Sequence, residues 1–293
     1  MPSVDVKTNN TGHTQFHYVI STPQQDSADC IDPDLPTVLF LHAVYLTSSI
    51  YHYQFGDPNL RRFNLVAVDL KLHGYTSGDN PPASYNQHDA AEEIARFMPE
   101  EITEGRQEIC EYWIEGYKTG DEAILNDAIY GTLQLAFSNK TIPLITGLTN
   151  LTYPLLKKNW GPEHLDAYKI VTFEFLIKRE EFSLEELSKI RVPVCLVHGL
   201  DDIAYPVKTS EEFRERLQSA GVLTSFHTIS DAPHFISVER SRELNGILHD
   251  FLLQNTKELP PPIPTSQILS PWDADLRQNG WDPEEEEVDE TVI

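Results

Sequence analysis

Short apolar runs, bounded by polar residues and turn formers, mark the strands of this chain. Pro36–His42 and Phe63–Asp69 are nearly continuous apolar runs that end in a polar residue, and Arg191–His198 repeats the pattern. Such runs are typical of parallel strands covered on both faces. Apolar and polar residues alternate at Val4–Lys7 and Gln15–Ile20, on either side of a turn-rich cluster. This alternation predicts an antiparallel hairpin at the edge of the sheet.

Helical signals separate these two groups of strands. Residues 83–98 predict a helix that ends before Pro99, and residues 100–190 are rich in helix formers and aromatic residues. After the last apolar run, the pattern predicts a helix at 208–220, a strand at 223–229 and a helix after Pro233. The predicted domains are the N-terminal half of an α/β core (1–98), a helical cap (99–190), the C-terminal half of the core (191–257) and a tail (258–293).

Charge and composition narrow the range of partners. The chain has 22 Lys and Arg against 46 Asp and Glu, for a net charge of -24. Like charges repel, so nucleic acid and anionic membranes are not expected as partners. The proline-rich and acidic stretch at 258–293 predicts a disordered tail. The N-terminus lacks a signal sequence and no apolar stretch reaches about 20 residues, so we expect a cytoplasmic protein.

Polar motifs follow the predicted strands at their carboxyl ends, where α/β sheets bind ligands. His42-Ala43-Val44-Tyr45 ends the first apolar run, and Asp69-Leu-Lys-Leu-His-Gly-Tyr-Thr-Ser77 follows the second. Gly199-Leu-Asp-Asp-Ile-Ala-Tyr-Pro206 follows the third. Asp231-Ala-Pro-His234 comes one strand later, immediately before a predicted helix. No metal-ligand spacing and no nucleotide-binding glycine motif is present, so we expect cofactor-free chemistry without a metal.

Over residues 14–255, these motifs resemble those of the α/β-hydrolase superfamily, in its small form with a helical cap. The resemblance implies a mostly parallel sheet flanked by helices, with His234 as general base and Asp202 as the acid that orients it. Asp201 is the reserve candidate for the acid. By the same resemblance, the N–H of Val44, with Tyr45 close by, would form the oxyanion hole. Ala43 stands where the family has a glycine, which puts the geometry of this loop in question.

The nucleophile of the family is missing. G-x-S-x-G occurs nowhere in the sequence, and Met98 runs directly into Pro99 where a strand, the elbow and further elements should follow. Ser48, Ser49 and Ser77 lie in capping or turn positions, so the nucleophile is unknown. A sheet shortened by its central strands would either close by direct pairing of residues 36–42 with residues 192–198, which we favour, or keep open edges.

The resemblance implies hydrolysis of a small apolar carboxylic ester or lactone. Without the nucleophile, we expect this chain to be impaired or inactive. Two alternatives are open from the sequence: a non-catalytic homologue that binds a small apolar molecule under its cap, or a truncated and unstable form.

Overall fold

The computed structural model describes residues 2–8, 11–86, 89, 103–138, 142–175, 181–256, 260–265 and 267–285. These residues form two compact units. The first contains residues 1–85, 141–172 and 256–293, and the second contains residues 86–140 and 173–255. The predicted helix at 83–98 lies largely outside the described residues, and the domain boundaries drawn from the sequence stay a prediction.

The strands and helices follow in chain order. The strands are β1 (Ser3–Thr8), β2 (Gly12–Ser21), β3 (Thr37–Leu41), β4 (Asn64–Val68), β5 (Ser77–Gly78), β6 (Val194–Gly199) and β7 (Thr224–Ile229). The α-helices are α1 (His52–Phe55), α2 (Thr103–Thr119), α3 (Glu122–Phe137), α4 (Pro143–Asn159), α5 (Leu165–Lys169), α6 (Leu184–Leu187), α7 (Val207–Ser219), α8 (Ile236–Glu239), α9 (Ser241–Asn255) and α10 (Asp273–Gln278). Shorter 3-10 turns lie at Ser48–Tyr51, Leu60–Arg62 and Pro162–His164, and a π-helical turn lies at Ile170–Glu174.

The sheet of the first unit confirms the strands predicted from the apolar pattern. β1 and β2 form the expected antiparallel hairpin. β2 pairs antiparallel with β4, and β4 pairs parallel with β3, which gives the order β1-β2-β4-β3 with β5 beside β2. The carboxyl ends of β3 and β4 therefore lie side by side, and the loops that follow them meet at one edge of the sheet.

Among the described strands, β3 lies at the edge of its sheet, although its sequence is that of a strand buried on both faces. Leu39, at its centre, is 54% exposed. The favoured pairing of residues 36–42 with residues 192–198 is wrong for the described strands, because β6 pairs with β7 in a separate two-stranded sheet. Burial of a few apolar side chains does not by itself bring two strand edges to the spacing of about 4.8 Å that pairing requires.

The helices begin where local signals place them. The side chain of Asp121 accepts a hydrogen bond from the N–H of Ala123 and so caps α3, and Pro143 occupies the first turn of α4. Ser183 and Glu186 form a capping box at the start of α6. The described part of residues 99–190 contains helices and no strand, as the sequence predicted.

The C-terminal segment, residues 260–285, corrects the prediction of a disordered tail. Trp272, Leu276 and Trp281 are 7%, 0% and 6% exposed, and α10 runs between the two tryptophans. Burial of their apolar surface is large enough to offset the entropy lost when the segment becomes ordered. The average composition of the segment does not reveal this, because three buried residues change it little. Residues 286–293 lie outside the described residues.

The second unit is built on the parallel pair β6 and β7. Leu187, Leu217 and Val222 form a buried cluster with β6 on one side of the pair. Ile229 and Ile236 belong to another cluster near the carboxyl ends of the strands. The predicted helix at 208–220 and the predicted strand at 223–229 are confirmed by α7 and β7. In the part of the chain that the structure describes, no helix is both long and apolar enough to cross a membrane.

Candidate active site

Asp202 and His234, the predicted acid and base, meet in the second unit. Asp202 follows β6 and His234 follows β7, so the parallel pairing of these strands brings the two loops to the same end. The Nδ1 atom of His234 lies 2.8 Å from Oδ2 of Asp202. A carboxylate only accepts hydrogen bonds, so Nδ1–H donates and the lone pair is left on Nε2.

Asp202 is held rigidly by its own loop. Its Oδ1 atom accepts hydrogen bonds from the backbone N–H groups of Ala204 at 2.8 Å and Tyr205 at 3.0 Å. The side chain of Asp202 is 4% exposed and that of His234 is 15% exposed. One carboxylate oxygen of Asp202 therefore accepts from the loop backbone and the other binds the imidazole of His234. The backbone hydrogen bonds fix the orientation of the carboxylate.

Gly199 explains why the two loops can approach each other. A Cβ atom at this position would lie 2.3 Å from the carbonyl oxygen of Ala232 and 2.5 Å from that of Pro233. The backbone N–H of Asp201 donates to the Ala232 carbonyl at 2.9 Å. The reserve candidate Asp201 thus joins the two loops through its backbone, while its neighbour Asp202 supplies the carboxylate.

Sequence reasoning missed His198, the last residue but one of β6. Its Nε2 atom lies 3.9 Å from Oδ2 of Asp202, and its Nδ1 atom lies 2.8 Å from Oγ of Ser210. A second imidazole therefore faces the carboxylate that binds His234. The only signal in the sequence was a histidine at the polar end of an apolar strand. Residues at such positions often have a purely structural role, so this signal does not indicate a functional one.

The predicted oxyanion residues Val44 and Tyr45 lie in the first unit, in the loop after β3. The N–H of Leu46 donates to the carbonyl of Ala43 at 3.3 Å, which closes a turn around them. The left-handed backbone falls on Tyr45, with a φ of 70°, and Ala43 has no positive φ. The alanine in place of the family glycine is thus compatible with this loop. The N–H of Val44 has no hydrogen-bond acceptor among the described residues.

His42 anchors this loop to the next one. Its Nε2 atom accepts a hydrogen bond from the N–H of Leu70 at 2.9 Å, so Nδ1 carries the proton and donates to the carbonyl of Ala43 at 2.8 Å. Burial lowers the pKa of His42 from its usual value. The ring is therefore a neutral structural link between the ends of β3 and β4.

Asp69 has the contacts of a structural residue. Its carboxylate accepts hydrogen bonds from Nδ1 of His17 and from the N–H groups of Ser48 and Tyr75, at 2.8, 2.8 and 3.0 Å. Burial alone would raise the pKa of Asp69, but these donors outweigh burial and lower the pKa to about 2. Gly74 has a φ of 52°, and a Cβ there would meet this carboxylate at 2.1 Å.

No serine or threonine hydroxyl among the described residues hydrogen-bonds His234. Ser48 and Ser49 are buried in the 3-10 turn after β3, and Ser49 bonds Thr47, which is the N-cap residue of that turn. Ser77 lies in β5, paired with Gln15 of β2. The structure therefore adds no candidate nucleophile to those considered from the sequence.

Comparisons with known proteins agree with this architecture. A family model described as the prolyl oligopeptidase family matches residues 173–258, which include Asp202 and His234. Protein ABHD8 of Homo sapiens and of Bos taurus is 33% identical over 81 residues. That match covers 26% of this chain and only 18% of the length of ABHD8.

Solved structures with the same fold include several hydrolases. The α/β hydrolase MGS-M2 from a Medee basin deep-sea metagenome has a TM-score of 0.57 at 14% identity, with 85% of this chain and 98% of that chain covered. A thermophilic esterase from Thermogutta terrifontis has a TM-score of 0.56 at 12% identity, with 87% and 100% covered. The enol-lactonase from Burkholderia xenovorans LB400 has a TM-score of 0.52 at 14% identity, with 85% and 99% covered.

The strand order, the loops that carry the polar motifs and these likenesses define an α/β-hydrolase fold. Residues 173–258 are similar to the prolyl oligopeptidase family, and the fold of the chain is that of the solved α/β hydrolases. Among the described strands, β3 lies at an edge of its sheet, and β6 and β7 form a pair of their own.

Proposed function

We propose that this chain is a carboxylic-ester or lactone hydrolase homologue that retains the base and acid of the family but is impaired or inactive because it has no serine nucleophile. In this proposal His234 is the general base, Asp202 orients it, and Val44 and Tyr45 belong to the oxyanion loop. The proposed substrate class is a small apolar ester or lactone, and the chemistry needs no cofactor or metal.

The hydrogen bond between His234 and Asp202 is the observation that carries the proposal. The carboxylate selects the tautomer in which Nε2 bears the lone pair, and it would stabilise the imidazolium that forms when Nε2 accepts a proton. A base held in this way, at the carboxyl end of a parallel strand pair, suits proton abstraction from a hydroxyl. The N–H of Val44, without an acceptor among the described residues, supports its assignment as an oxyanion donor.

The impairment is inferred from sequence and sheet together. G-x-S-x-G is absent from all 293 residues, and the motif would belong between Met98 and Pro99. The exposure of Leu39 on the edge strand β3 supports a missing neighbour at this side of the sheet. The esterase and lactonase likenesses support the substrate class. The cytoplasmic location and the absence of a nucleic-acid or membrane partner stay predictions.

Covalent labelling tests the absence of a nucleophile. We expect an organophosphonate probe, incubated with the full chain, to label no serine in intact-mass and peptide analysis. The controls are His234→Ala and His227→Ala, since His227 is an exposed histidine on β7. Stoichiometric labelling of one serine, lost in His234→Ala and kept in His227→Ala, would overturn the proposed impairment.

Restoration tests the base and the acid. Insertion of a homologous strand-elbow-helix-strand unit after Met98 is expected to create esterase activity towards a short-chain ester. In that protein, His234→Ala and Asp202→Asn should each reduce kcat by about 10⁴, as triad members do elsewhere, while His227→Ala should leave it unchanged. Full activity of the Asp202→Asn variant would show that another residue is the acid.

A further inference from the structure

His198 is a buried histidine to which the proposed hydrolase chemistry gives no role. It is the last residue but one of β6 and is 6% exposed. Its Nε2 atom is buried, has no hydrogen-bond partner among the described residues, and lies 3.9 Å from Oδ2 of Asp202. A buried polar atom without a partner is destabilising and uncommon in native structures. Such a nitrogen opposite a carboxylate indicates an electrostatic role.

The loop after β6 fixes the distance between His198 and Asp202. The N–H of Leu200 donates to the carbonyl of Ile229 at 2.9 Å, and the N–H of Asp202 donates to the carbonyl of Gly199 at 3.2 Å. Two further backbone N–H groups of the loop donate to Oδ1 of the same carboxylate. The carboxylate therefore cannot turn away from the imidazole of His198 without the loss of backbone hydrogen bonds.

Ser210 determines which ring nitrogen of His198 carries the proton. Nδ1 of His198 lies 2.8 Å from Oγ of Ser210, and this hydroxyl has no other hydrogen-bond partner among the described residues. A hydroxyl can donate as well as accept. If Nδ1 carried the proton, Nε2 would present a lone pair to the carboxylate, which is repulsive. If the hydroxyl of Ser210 donates to Nδ1, Nε2–H faces the carboxylate, and this arrangement is favoured because the dipole and the charge attract.

Oδ2 of Asp202 is thus shared by two imidazole rings. It accepts a hydrogen bond from Nδ1 of His234 at 2.8 Å, and Nε2 of His198 lies 3.9 Å away. A carboxylate oxygen has two lone pairs, so the bond to His234 leaves one for a second donor. At 3.9 Å the contact is an interaction between a charge and a dipole rather than a hydrogen bond. The side chain of Asp202 is 4% exposed, so water screens this interaction little.

We infer that His198 is a positioning residue for the proposed acid-base pair. Its Nε2–H, fixed by Ser210, shares the charge of Oδ2 with His234 and so limits the strength of the hydrogen bond between His234 and Asp202. This inference rests on the proposed function for the roles of Asp202 and His234. The interaction itself needs neither a nucleophile nor a substrate, so the full chain tests it as it is.

Ring ¹⁵N resonances of the full chain test the position of the proton. They are measured through the carbon-bound ring protons, at a pH above the ordinary histidine value of about 6.5. We expect Nε2 of His198 to resonate as a protonated nitrogen and Nδ1 as an unprotonated one. Ser210→Ala should move the Nδ1 resonance of His198 downfield, because this nitrogen loses its donor. Ser219→Ala, at an exposed position of the same helix α7, is the control and should leave that resonance unchanged.

Two substitutions of His198 test its effect on His234. His198→Leu removes Nε2–H, so Oδ2 binds His234 alone, and the Nδ1 resonance of His234 should move downfield, as it does in a stronger N–H···O bond. His198→Gln retains an N–H donor near the position of Nε2 and should keep the wild-type resonance. His227→Leu, at an exposed position of β7, is the matched control. A purely structural role of His198 predicts the same change in the Leu and Gln variants, and circular dichroism verifies that each is folded.

Three results would overturn the inference. They are a wild-type His198 that is protonated on Nδ1 and not on Nε2, an unchanged Nδ1 resonance of His198 in Ser210→Ala, and an unchanged resonance of His234 in folded His198→Leu. The first two tests stand even if His198→Leu does not fold. Failure of the proposed function has a different signature, because serine labelling by the organophosphonate or inactivity of the restored protein alters none of these resonances.

Discussion

Trp281 makes the C-terminal segment an integral part of the first unit, and its removal should destabilise the protein. The indole ring packs edge to face on His52 with centroids 4.3 Å apart, and the guanidinium of Arg277 lies 5.0 Å from its centre. Its backbone and Cβ lie against Gly147 of α4. The residue thus joins the segment to two different parts of the unit.

The magnitude follows from burial and from one unmade hydrogen bond. Burial of roughly 200 Å² of indole stabilises by about 5 kcal/mol at about 25 cal/mol per Å², as an upper bound. Nε1 of Trp281 has no hydrogen-bond partner among the described residues, which offsets about 1–3 kcal/mol of that gain. We therefore expect Trp281→Ala to reduce the free energy of unfolding by about 3 kcal/mol.

Thermal unfolding followed by circular dichroism measures this effect, and the expected decrease in Tm is on the order of 10 °C. Trp281→Phe keeps most of the apolar surface and removes the unpaired N–H, so its change should be within about 1 kcal/mol. Ile263→Ala is the control within the same segment, because Ile263 is 48% exposed, and its change should be within about 0.5 kcal/mol.

The reasoning predicts a clear separation between Trp281→Ala and the other two variants. If Trp281→Ala and Ile263→Ala melt at the same temperature as the wild type, the segment does not contribute to folding, and the prediction of a disordered tail would be correct.

Three further predictions concern the stability of the chain. Burial lowers the pKa of His52 to about 4 and that of His73 to about 3, from 6.5. The unfolded chain therefore binds protons first as the pH falls below 6.5, and stability present above that pH is lost. Between pH 7 and pH 5 the expected loss is about 2 kcal/mol for each of these two histidines, measured by urea unfolding, and His73→Leu should remove its own share of about 2 kcal/mol. Gly147→Ala should destabilise by about 1–3 kcal/mol, because its Cβ would lie 2.8 Å from Cβ of Trp281. Gly246→Ala in α9, where the space is open, should stabilise by about 0.5–1 kcal/mol; equal melting shifts for the two would contradict this. Asp69→Asn leaves one acceptor oxygen where two served three donors, so unfolding should become easier by about 3 kcal/mol at pH 7, and an unchanged urea midpoint would argue against the structural role.

The strands and the contact between Asp202 and His234 could be predicted from the sequence. An apolar run ending in a polar residue specifies a strand and the position of its loop, because both depend on neighbouring residues. The resemblance to the α/β-hydrolases paired Asp202 with His234, and the parallel strands β6 and β7 bring their loops to the same end. His198 could not be paired in this way, because its distance from Asp202 depends on the path of the loop after β6.

The remaining features are decided by contacts between residues far apart in the chain. Residues 258–293 are polar on average, but Trp272 and Trp281 are buried through contacts with residues far away in the chain, among them His52, Phe55 and Gly147. Leu39 lies in a strand whose sequence predicts burial, but exposure depends on which strands are present beside it. Local patterns determine backbone conformation, because they act through hydrogen bonds and sterics between near neighbours. Burial requires a partner surface, and only the tertiary structure determines which surface that is.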